Sequence, residues 1–330
     1  MRRVTSVETP LAHLVGPGKL KVVNGQLAYS TGEGTPLRLD PQTLRAVYCY
    51  GAVSLSDEAL RMVLEQDVQL AFLSAQGMRC RGRLVRDDSS KTTLRLLQHG
   101  AFANPAAQRE WAARVVEAKI DSQLHALRHY RRHRLGLGVS AAPLMESARR
   151  GCASAALDQL RGLEGASSAA WFGVLGELIQ PPWRFEQRNR RPPRDPVNAL
   201  LSLGYTWLLA RVRARCEAEG LEANLGALHE YRPGRPSLVC DLMEPLRVPA
   251  VDRWAIGACN RAHVAPADFV EENGGVLLQP GCFASILRLW ETHWIEQEQE
   301  KALDAWLVEF LQWLRQFAPP EAAEGVMEDS

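Results

Sequence analysis

The apolar positions follow two different periods along the chain, and the change lies near residue 90. In residues 19–84, short apolar runs alternate with polar positions and turn residues, which is typical of β-strands. The clearest signal is KLKVV followed by Asn24–Gly25 and QLAYS, because a type I′ hairpin turn needs two residues that tolerate positive φ. Further strands are predicted at 36–39, 45–50, 68–73 and 78–84, and a short helix is predicted to begin after Ser56.

The second part of the chain has helical spacing. A polar, serine-bearing run separates the two patterns and predicts a linker at 89–94. Asn104–Pro105 and Asp195–Pro196 each combine an N-cap side chain with a proline suited to the first turn. A long helix is therefore predicted after each pair, the second ending at Gly220. Another helix is predicted after Gln299, where apolar residues recur every three or four positions.

These patterns predict an α+β fold, with a small β-rich domain at 1–88 and a larger all-helical domain at 95–319. The 330 residues and the hydrophobic content of 46% suffice for one large core or two smaller ones. The last residues, 320–330, are acidic and small, and we expect them to be disordered.

The charge composition limits how the protein could bind a polyanion. A formal net charge of +1 excludes a polycation, so affinity for nucleic acid would have to come from local patches. Lysine occurs at only five positions, 19, 21, 91, 119 and 301, and the other basic residues are arginine. The planar arginine fork suits phosphate oxygens, although a GC-rich coding sequence would produce the same bias without functional meaning.

The cysteines and the hydropathy pattern bear on the compartment. Seven cysteines without a C-x-x-C pair predict free thiols in a reducing cytoplasm. The first residues lack the uninterrupted apolar run of a signal peptide, and no window approaches the ~18 apolar residues of a membrane span. We therefore expect a soluble, cytoplasmic protein.

The segment RFEQRNRRPPRDP forms a basic, proline-broken loop between two predicted helical segments. Its arginines are Arg184, Arg188, Arg190, Arg191 and Arg194. A loop with this much positive charge is either hydrated or binds polyphosphate. Trp183 and Phe185 lie among the arginines and would either stack on an unpaired base or anchor the loop by burial.

Potential metal ligands gather in the segment LHEYRPGRPSLVCDLMEPLRVPAVDR, residues 228–253. Asp241 and Glu244 are three residues apart on a short helix predicted to begin at Ser237, which puts both carboxylates on one face. The proline-glycine turn before this helix would let His229 fold back toward them. Oxygen and nitrogen donors in this combination suit Mg²⁺ or Mn²⁺, but a solvated helix with ordinary caps is the alternative.

Two side chains are few for a catalytic ion, so a further ligand would have to come from elsewhere in the chain. Glu164 qualifies, because the small residues around it in its predicted helix would let another helix approach closely. A glutamate in an alanine-rich helix is more commonly a surface residue, and that alternative remains open.

Three motifs, taken in order, resemble the CRISPR-associated integrase family, which contains the spacer-acquisition nuclease of prokaryotic adaptive immunity. They are LRGLEGASSAAWFG, RNRRPPRDPVNALLSLGYTWL and ALHEYRPGRPSLVCDLMEPLRVPAVD. The β-rich start, the AKIDSQ segment and the DFVEENGGVLL segment are also similar to the family. The resemblance therefore extends across the chain.

The resemblance implies an N-terminal β-domain that forms a homodimer and a helical domain that holds a divalent ion, Mg²⁺ or Mn²⁺. Carried over residue by residue, it makes Glu164, His229 and Glu244 the catalytic residues and metal ligands, with Asp241 lining the same site. Trp171 stands where a tyrosine is usual in the family, which puts a proton-transfer role at this position in doubt.

The resemblance also assigns residues around the site. Arg190, Arg191 and Arg235 match positions near the DNA path. Together with the loop residues Arg184 and Arg188, they are the candidate DNA-binding residues. Asn198 and Tyr205 match residues that we expect to support the site or to pack behind it.

The implied activity is that of a metal-dependent DNA integrase and endonuclease of CRISPR adaptation. Such a protein inserts short duplex fragments with single-stranded ends into CRISPR repeat DNA, by attack of a 3′-hydroxyl on a phosphodiester. A small CRISPR-associated partner subunit is expected to bridge its dimers. The alternatives are a non-catalytic DNA-binding scaffold of an acquisition complex and a stand-alone nuclease acting on branched DNA.

Overall fold

The computed structural model describes residues 11–317 except 33, 76, 78, 85, 87–90 and 191. Its N-terminal part consists of β-strands and one helix. The strands are Leu11–Val15 (β1), Gly18–Val23 (β2), Gln26–Ser30 (β3), Leu37–Leu39 (β4), Ala46–Tyr50 (β5), Val53–Leu55 (β6), Gln69–Leu73 (β7) and Cys80–Leu84 (β8), and the helix, Asp57–Glu65 (α1), lies between β6 and β7.

The strands form two sheets. The first sheet has the order β1-β5-β7-β8, with β1, β5 and β7 parallel and β8 antiparallel to β7. The second sheet has the order β4-β3-β2-β6 and contains the predicted hairpin of β2 and β3. Both turn residues have positive φ, 53° at Asn24 and 74° at Gly25, which confirms the type I′ prediction. The cap prediction at Ser56 is also confirmed, since its side chain accepts from the Ala59 N–H.

The first sheet is buried on both faces along β1, β5 and β7 and therefore lies between two cores. In β5, Val47 and Cys49 pack into the small core between the two sheets. The alternating residues Ala46, Tyr48 and Tyr50 belong to the large core of the helical part. Successive side chains on a strand point to opposite faces, so β5 contributes side chains to both cores.

The C-terminal part is mainly helical, which confirms the predicted fold class. Its helices are Thr92–Ala103 (α2), Pro105–Arg131 (α3), Ala141–Gly151 (α4), Leu157–Leu178 (α5), Pro196–Ala218 (α6), Ser237–Met243 (α7), Arg253–Asn260 (α8), Phe283–Glu296 (α9) and Gln299–Arg315 (α10). A short hairpin of Phe269–Glu272 (β9) and Gly275–Leu278 (β10) interrupts them, so the prediction that this part is all-helical is wrong. In the described part of the chain, every helix is too short or too polar to span a bilayer.

Local signals set several helix ends. Asn104 accepts from the backbone N–H groups of Ala106 and Ala107, and Asp195 accepts from that of Asn198, so both predicted N-caps are confirmed. Gly220 has φ 79° just after α6, as predicted for a helix-terminating glycine. Ser237 does not cap α7, because its hydroxyl donates instead to the Glu230 carbonyl at 2.9 Å.

Three other expectations have different outcomes; they concern the linker, the arginines of β8 and the C-terminal tail. Residues 92–94 of the predicted linker form the first turn of α2, which we did not predict, and the domain boundaries stay a prediction. The alternating arginines of β8 predict either a solvated face or a partner surface. Arg81 is exposed, but Arg83 is half-buried and pairs with Glu217 of α6, while Cys80, on the face expected to be buried, is exposed. The predicted acidic tail, 320–330, lies outside the described residues.

Candidate active site

Glu164 lies in α5, on the side that faces α3. Its carboxylate oxygen Oε1 contacts the Lys119 ammonium and accepts from the Ser168 hydroxyl at 3.0 Å. The nearby Ser167 hydroxyl donates to Gln123 of α3, so small residues do allow the two helices to approach closely. The Glu164 side chain is 23% exposed, and it is therefore neither a free surface residue nor fully buried.

His229 is held by the backbone turn that precedes α7. The Asp241 carboxylate accepts from the backbone N–H groups of Ala227, Leu228 and His229 at 2.7–3.0 Å, and it lies 2.6 Å from His229 Nδ1. A Cβ on Gly226 would lie 2.7 Å from Asp241 Oδ2, so this close approach requires glycine. With Nδ1 paired to Asp241, the imidazole presents Nε2 toward Glu244, whose Oε1 is 3.9 Å away.

Glu244 lies at the point where α7 changes its helical form. A 3₁₀ turn, Glu244–Leu246, is followed by a π-helical turn, Arg247–Asp252. Pro245 and Pro249 lie in these two turns, and proline lacks the N–H needed for regular α-helical bonding. This local widening brings Arg247 Nε to 2.8 Å from Glu244 Oε2.

Of the three candidate ligands, Glu244 is the most deeply buried, with 2% of its surface exposed. Burial alone would raise the pKa of its carboxyl. The positive charges of Arg247 and Lys119, with a contribution from His229, lower that pKa well below its ordinary value. The carboxyl is therefore ionised at neutral pH although it lies in the protein interior.

The predicted ligands thus come together from three separate segments, with Lys119 at the centre. Its ammonium contacts Glu164 and lies 2.7 Å from Glu244 Oε2. We did not predict Lys119 as a site residue. A sequence signal existed, because Lys119 is four residues after Val115 on the apolar stripe of α3, and a lysine on a buried stripe requires a partner.

The donor types at this cluster fit a hard divalent ion. Glu164 and Glu244 converge on one positive charge, and the Asp241–His229 pair has the arrangement that orients imidazole ligands at metal centres. No set of three or more His, Cys, Asp or Glu side chains within the described ranges has the spacing of a metal centre. The carboxylates are instead spaced around the Lys119 ammonium.

A second polar network lies behind Arg247. Tyr205 donates its hydroxyl to Asp252 Oδ1, and Trp171 Nε1 donates to Asp252 Oδ2 at 2.7 Å. Burial raises the pKa of Asp252 to about 6, although these two hydrogen bonds oppose the rise. The Arg247 guanidinium lies 4.9 Å from the centre of the Tyr205 ring, so Tyr205 supports the arginine that pairs with Glu244. Trp171 is therefore a hydrogen-bond donor to this network.

Asn198 fixes the arginine-rich loop from the start of α6. Its side-chain oxygen accepts from Arg188 Nη1 at 2.7 Å and from the Asn189 N–H at 3.0 Å, and its amide nitrogen donates to Gln187 O at 2.9 Å. Arg188 also donates to Ser202 and lies 5.4 Å from the centre of the Tyr205 ring. Both Asn198 and Tyr205 therefore occupy supporting positions, and Arg188 has internal partners.

The aromatic residues of the loop are anchors. Trp183 and Phe185 are buried, and Trp183 Nε1 donates to Cys259 O at 3.0 Å. The alternative in which they stack on an unpaired base is therefore wrong for this conformation. Their burial fixes the position of the loop, whose Pro193 carbonyl also accepts from the Val276 N–H at 2.8 Å.

The other candidate DNA-binding arginines differ in exposure. Arg184 and Arg190 are exposed, and Arg235, which precedes α7, is half-buried beside Cys240. Arg191 lies outside the described residues. Of these candidates, Arg184 and Arg190 are the arginines that present their guanidinium groups to solvent.

Comparisons with known proteins agree on one family. The family model described as CRISPR associated protein Cas1 matches residues 13–292. The chain is 33% identical over 294 residues to CRISPR-associated endonuclease Cas1 2 of Rhodospirillum rubrum, and the alignment covers 80% of this chain and 84% of that protein.

Solved structures show the same fold. A CAS1 protein from Thermotoga maritima has a TM-score of 0.80 at 20% identity, covering 92% of this chain and 96% of that one. A casposase bound to integration product has a TM-score of 0.73 at 22% identity, covering 86% and 81%. Cas1–Cas2 complexes and a Cas1–DNA complex are also among the structural neighbours.

Proposed function

This chain belongs to the Cas1 family of CRISPR-associated proteins, whose characterised relatives are named endonucleases, and we propose that it is a metal-dependent DNA integrase and endonuclease of CRISPR adaptation. The observation that carries the proposal is the convergence of Glu164, His229 and Glu244, from α5, the turn before α7 and the end of α7, at one ionic cluster. The exposed edge of this cluster would admit a DNA strand.

The catalytic residues in this proposal are Glu164, His229 and Glu244, which would hold Mg²⁺ or Mn²⁺. When bound, such an ion neutralises charge on a phosphate and lowers the pKa of an attacking hydroxyl. Asp241 keeps the His229 ring in place and directs Nε2 toward Glu244. Arg247, supported by Tyr205, holds the Glu244 carboxylate in its buried position.

The reaction in this proposal is a transesterification. The 3′-oxygen of the incoming strand attacks phosphorus at the edge of a repeat, the bond from phosphorus to the host 3′-oxygen breaks, and the leaving oxygen takes a proton while the attacking hydroxyl loses one. One phosphodiester forms for each one that breaks, so no covalent intermediate with the protein is needed. Water in place of the attacking hydroxyl gives strand cleavage at the same site.

DNA in this proposal lies along the arginine-rich loop. Arg184 and Arg190 are exposed on the loop, and Arg235 lies at the turn before α7. Guanidinium groups bind phosphate oxygens through paired N–H donors, so these residues would position the strand next to Glu164 and His229. Arg191 belongs to the proposal through the family motif alone, and Arg188 would act by holding the loop.

The assembly is also part of the proposal. The substrate would be a duplex with single-stranded ends, inserted into CRISPR repeat DNA. The β-rich domain would form a homodimer, and a small CRISPR-associated subunit would bridge two dimers. Cas1–Cas2 complexes among the structural neighbours support this last point.

The test is a joining assay that uses a labelled fragment and a supercoiled repeat plasmid, with and without Mn²⁺, for the wild type and His229→Ala. We expect joining only in the wild type with Mn²⁺, and a folded but inactive variant, because the imidazole would be a metal ligand. Binding without any metal-dependent reaction would instead identify a scaffold, and cleavage without joining would identify a nuclease. Full joining by the variant would contradict the proposed site.

The loop is tested through the salt dependence of DNA binding. Arg190→Ala should weaken binding and reduce the slope of log K against log salt by about 1, because one phosphate contact is lost. Arg61→Ala is the matched control, since Arg61 is an exposed arginine paired with Asp57 in α1, in the other part of the molecule. An unchanged slope for the Arg190 variant would remove the loop from the DNA path.

A further inference from the structure

Lys119 is the buried cation that joins the two carboxylates of the candidate site. It lies in the middle of α3 with 5% of its surface exposed, and Val115, Val116 and Ile120 around it are fully buried. A lysine is almost never buried unless its charge is paired. Here the pairing is with Glu164 and with Glu244, whose Oε2 lies 2.7 Å from Nζ.

The two carboxylates depend on Lys119 to different degrees. Glu244 has a second cation, because Arg247 Nε lies 2.8 Å from its Oε2. Among the described residues, the positive charge that contacts Glu164 is that of Lys119. The Ser168 hydroxyl donates a hydrogen bond to the same carboxylate. Lys119 is therefore the cation that Glu164 and Glu244 share, and Glu164 depends on it more than Glu244 does.

A lysine ammonium and a divalent ion would bind the same oxygens in the same place. An ammonium has only hydrogen-bond donors and no lone pair, so it cannot be a ligand of the ion. Two cations between the same pair of carboxylates would also repel each other strongly at contact distance in a partly buried site. The two modes of neutralising Glu164 and Glu244 are therefore mutually exclusive.

We propose that Lys119 is a competing internal counter-ion of the metal site, so that a divalent ion binds by exchange with the Lys119 ammonium. This inference rests on the proposed metal role of Glu164 and Glu244. In this exchange, Nζ moves away from the two carboxylates and the ion takes over their charge. Lys119 thereby keeps the metal-free fold stable and lowers the affinity for the metal.

The experiment compares Mn²⁺ binding by the full chain in the wild type, in Lys119→Met and in the control Lys301→Met. Lys301 is also an ion-paired lysine, but its side chain is 78% exposed, at the start of α10. Free Mn²⁺ is measured by electron paramagnetic resonance, and thermal unfolding is followed in parallel with and without Mn²⁺.

We expect Lys119→Met to bind Mn²⁺ at least about tenfold more tightly than the wild type, because the competing charge is gone. We also expect it to melt at a lower temperature without Mn²⁺ and to gain more than the wild type when Mn²⁺ is added. Lys301→Met should match the wild type in both measurements. Equal or weaker Mn²⁺ binding by Lys119→Met would overturn the exchange.

If the wild type binds no Mn²⁺, the proposed metal function itself is wrong. This outcome can be distinguished from a failure of the exchange proposal alone. If Lys119→Met does not fold, Lys119→Gln replaces it, with the same expected direction. If neither variant folds, the exchange is tested in the wild type. Its lysines are labelled by reductive methylation, and the extent of labelling at each lysine is measured by mass spectrometry. Mg²⁺ should then increase labelling at Lys119 but not at the exposed Lys19 and Lys301, and unchanged Lys119 labelling would overturn the exchange.

Discussion

Two buried ionic clusters in the described part of the chain are built from similar residues, one between the first sheet and the helices and the other at the candidate active site. In the first, which we call the seam cluster, Arg211 of α6 pairs with Glu291 of α9, and His13 of β1 lies 2.9 Å from the same carboxylate. Arg211 also lies 4.9 Å and 4.5 Å from the ring centres of Trp290 and Trp294. The side chains of Arg211 and Glu291 are 2% and 1% exposed.

The second, which we call the site cluster, contains Lys119, Glu164, His229, Glu244 and Arg247. The side chains of its inner members, Lys119 and Glu244, are 6% and 3% exposed, slightly more than those of the seam cluster. The side chains of its outer members, Glu164 and His229, are 23% and 19% exposed. No aromatic ring among the described residues is stacked on Lys119 in the way that the tryptophans enclose Arg211.

The clusters differ in the type of cation and in what encloses it. Arg211 is shared between Glu291 and Glu300, whose side chain is 26% exposed, but its guanidinium is enclosed by two tryptophan rings, and the cluster ties β1 to the helices. Glu164 and Glu244 share the single-point ammonium of Lys119, which is buried but contacts the partly exposed Glu164. Burial and sharing of a charge are therefore not by themselves signs of function; the site cluster is distinguished by a lysine without aromatic enclosure, next to the partly exposed Glu164.

The largest effect is expected from breaking the seam cluster. Arg211→Met leaves Glu291 buried with little compensation, and it should lower the free energy of unfolding by about 3–5 kcal/mol. Urea denaturation measures the change. Arg114→Met, which removes a half-exposed pair with Glu110 on α3, should cost less than about 1 kcal/mol. A loss below about 1 kcal/mol for the Arg211 variant as well would mean that the seam cluster does not hold the two layers together.

The next effect concerns acid stability. Burial alone would raise the pKa of Glu291, but Arg211 and His13 lower it to about 2. Because the folded-state pKa is below the unfolded one, this stabilisation is present above the unfolded pKa and is lost as the pH falls toward 2. The stability difference between the wild type and Glu291→Gln should shrink by about 2 kcal/mol from pH 5 to pH 3.

Denaturation at several pH values checks this prediction. Asp57→Asn, which alters an exposed pair in α1, serves as the control and should follow the wild-type curve. A constant difference between the wild type and Glu291→Gln over this range would show that the Glu291 carboxyl titrates alike in the folded and unfolded states.

The smallest effect tests the support of the site cluster. Asp241→Asn removes the carboxylate that holds the turn before α7 and orients the His229 ring. Changes of this kind behind a metal ligand typically weaken metal binding about 10–100-fold. Mn²⁺ titration of the folded variant measures the loss, with Asp57→Asn again as the control. Unchanged affinity would mean that His229 needs no such support or does not bind the metal.

Short-range signals were sufficient for much of the fold. Asn24–Gly25 can adopt the positive φ angles of a hairpin turn, and Asn104 and Asp195 can accept from the N–H groups of the next turn, whatever the rest of the chain does. The strands β1 and β6 were not predicted. They are short, and their pairing with β5 and β2 joins residues more than thirty positions apart in the sequence.

Short-range signals in the sequence also identified most of the candidate ligands. Asp241 and Glu244 lie within one helical turn, and the proline-glycine turn returns His229 to them. Glu164 was selected by the small residues of its helix and by the family motif, but neither indicates which side chain it faces. Lys119, Arg247 and the Asp252 network were missed. Arg247 lies only three residues after Glu244, but the partners of Lys119 and of Asp252 are distant in the sequence, and spacing does not reveal them.

The sequence by itself determined the hairpin turn, several strands and helix ends, and which acids and imidazole are available, because these depend on contacts within a few residues. Only the tertiary structure decided which cation neutralises those acids. The packing of α3 against α5 and against the end of α7 removes water from Glu244 and brings Lys119 to it. Once water is excluded, the partner of a charge is set by the three-dimensional packing and no longer by distance along the chain.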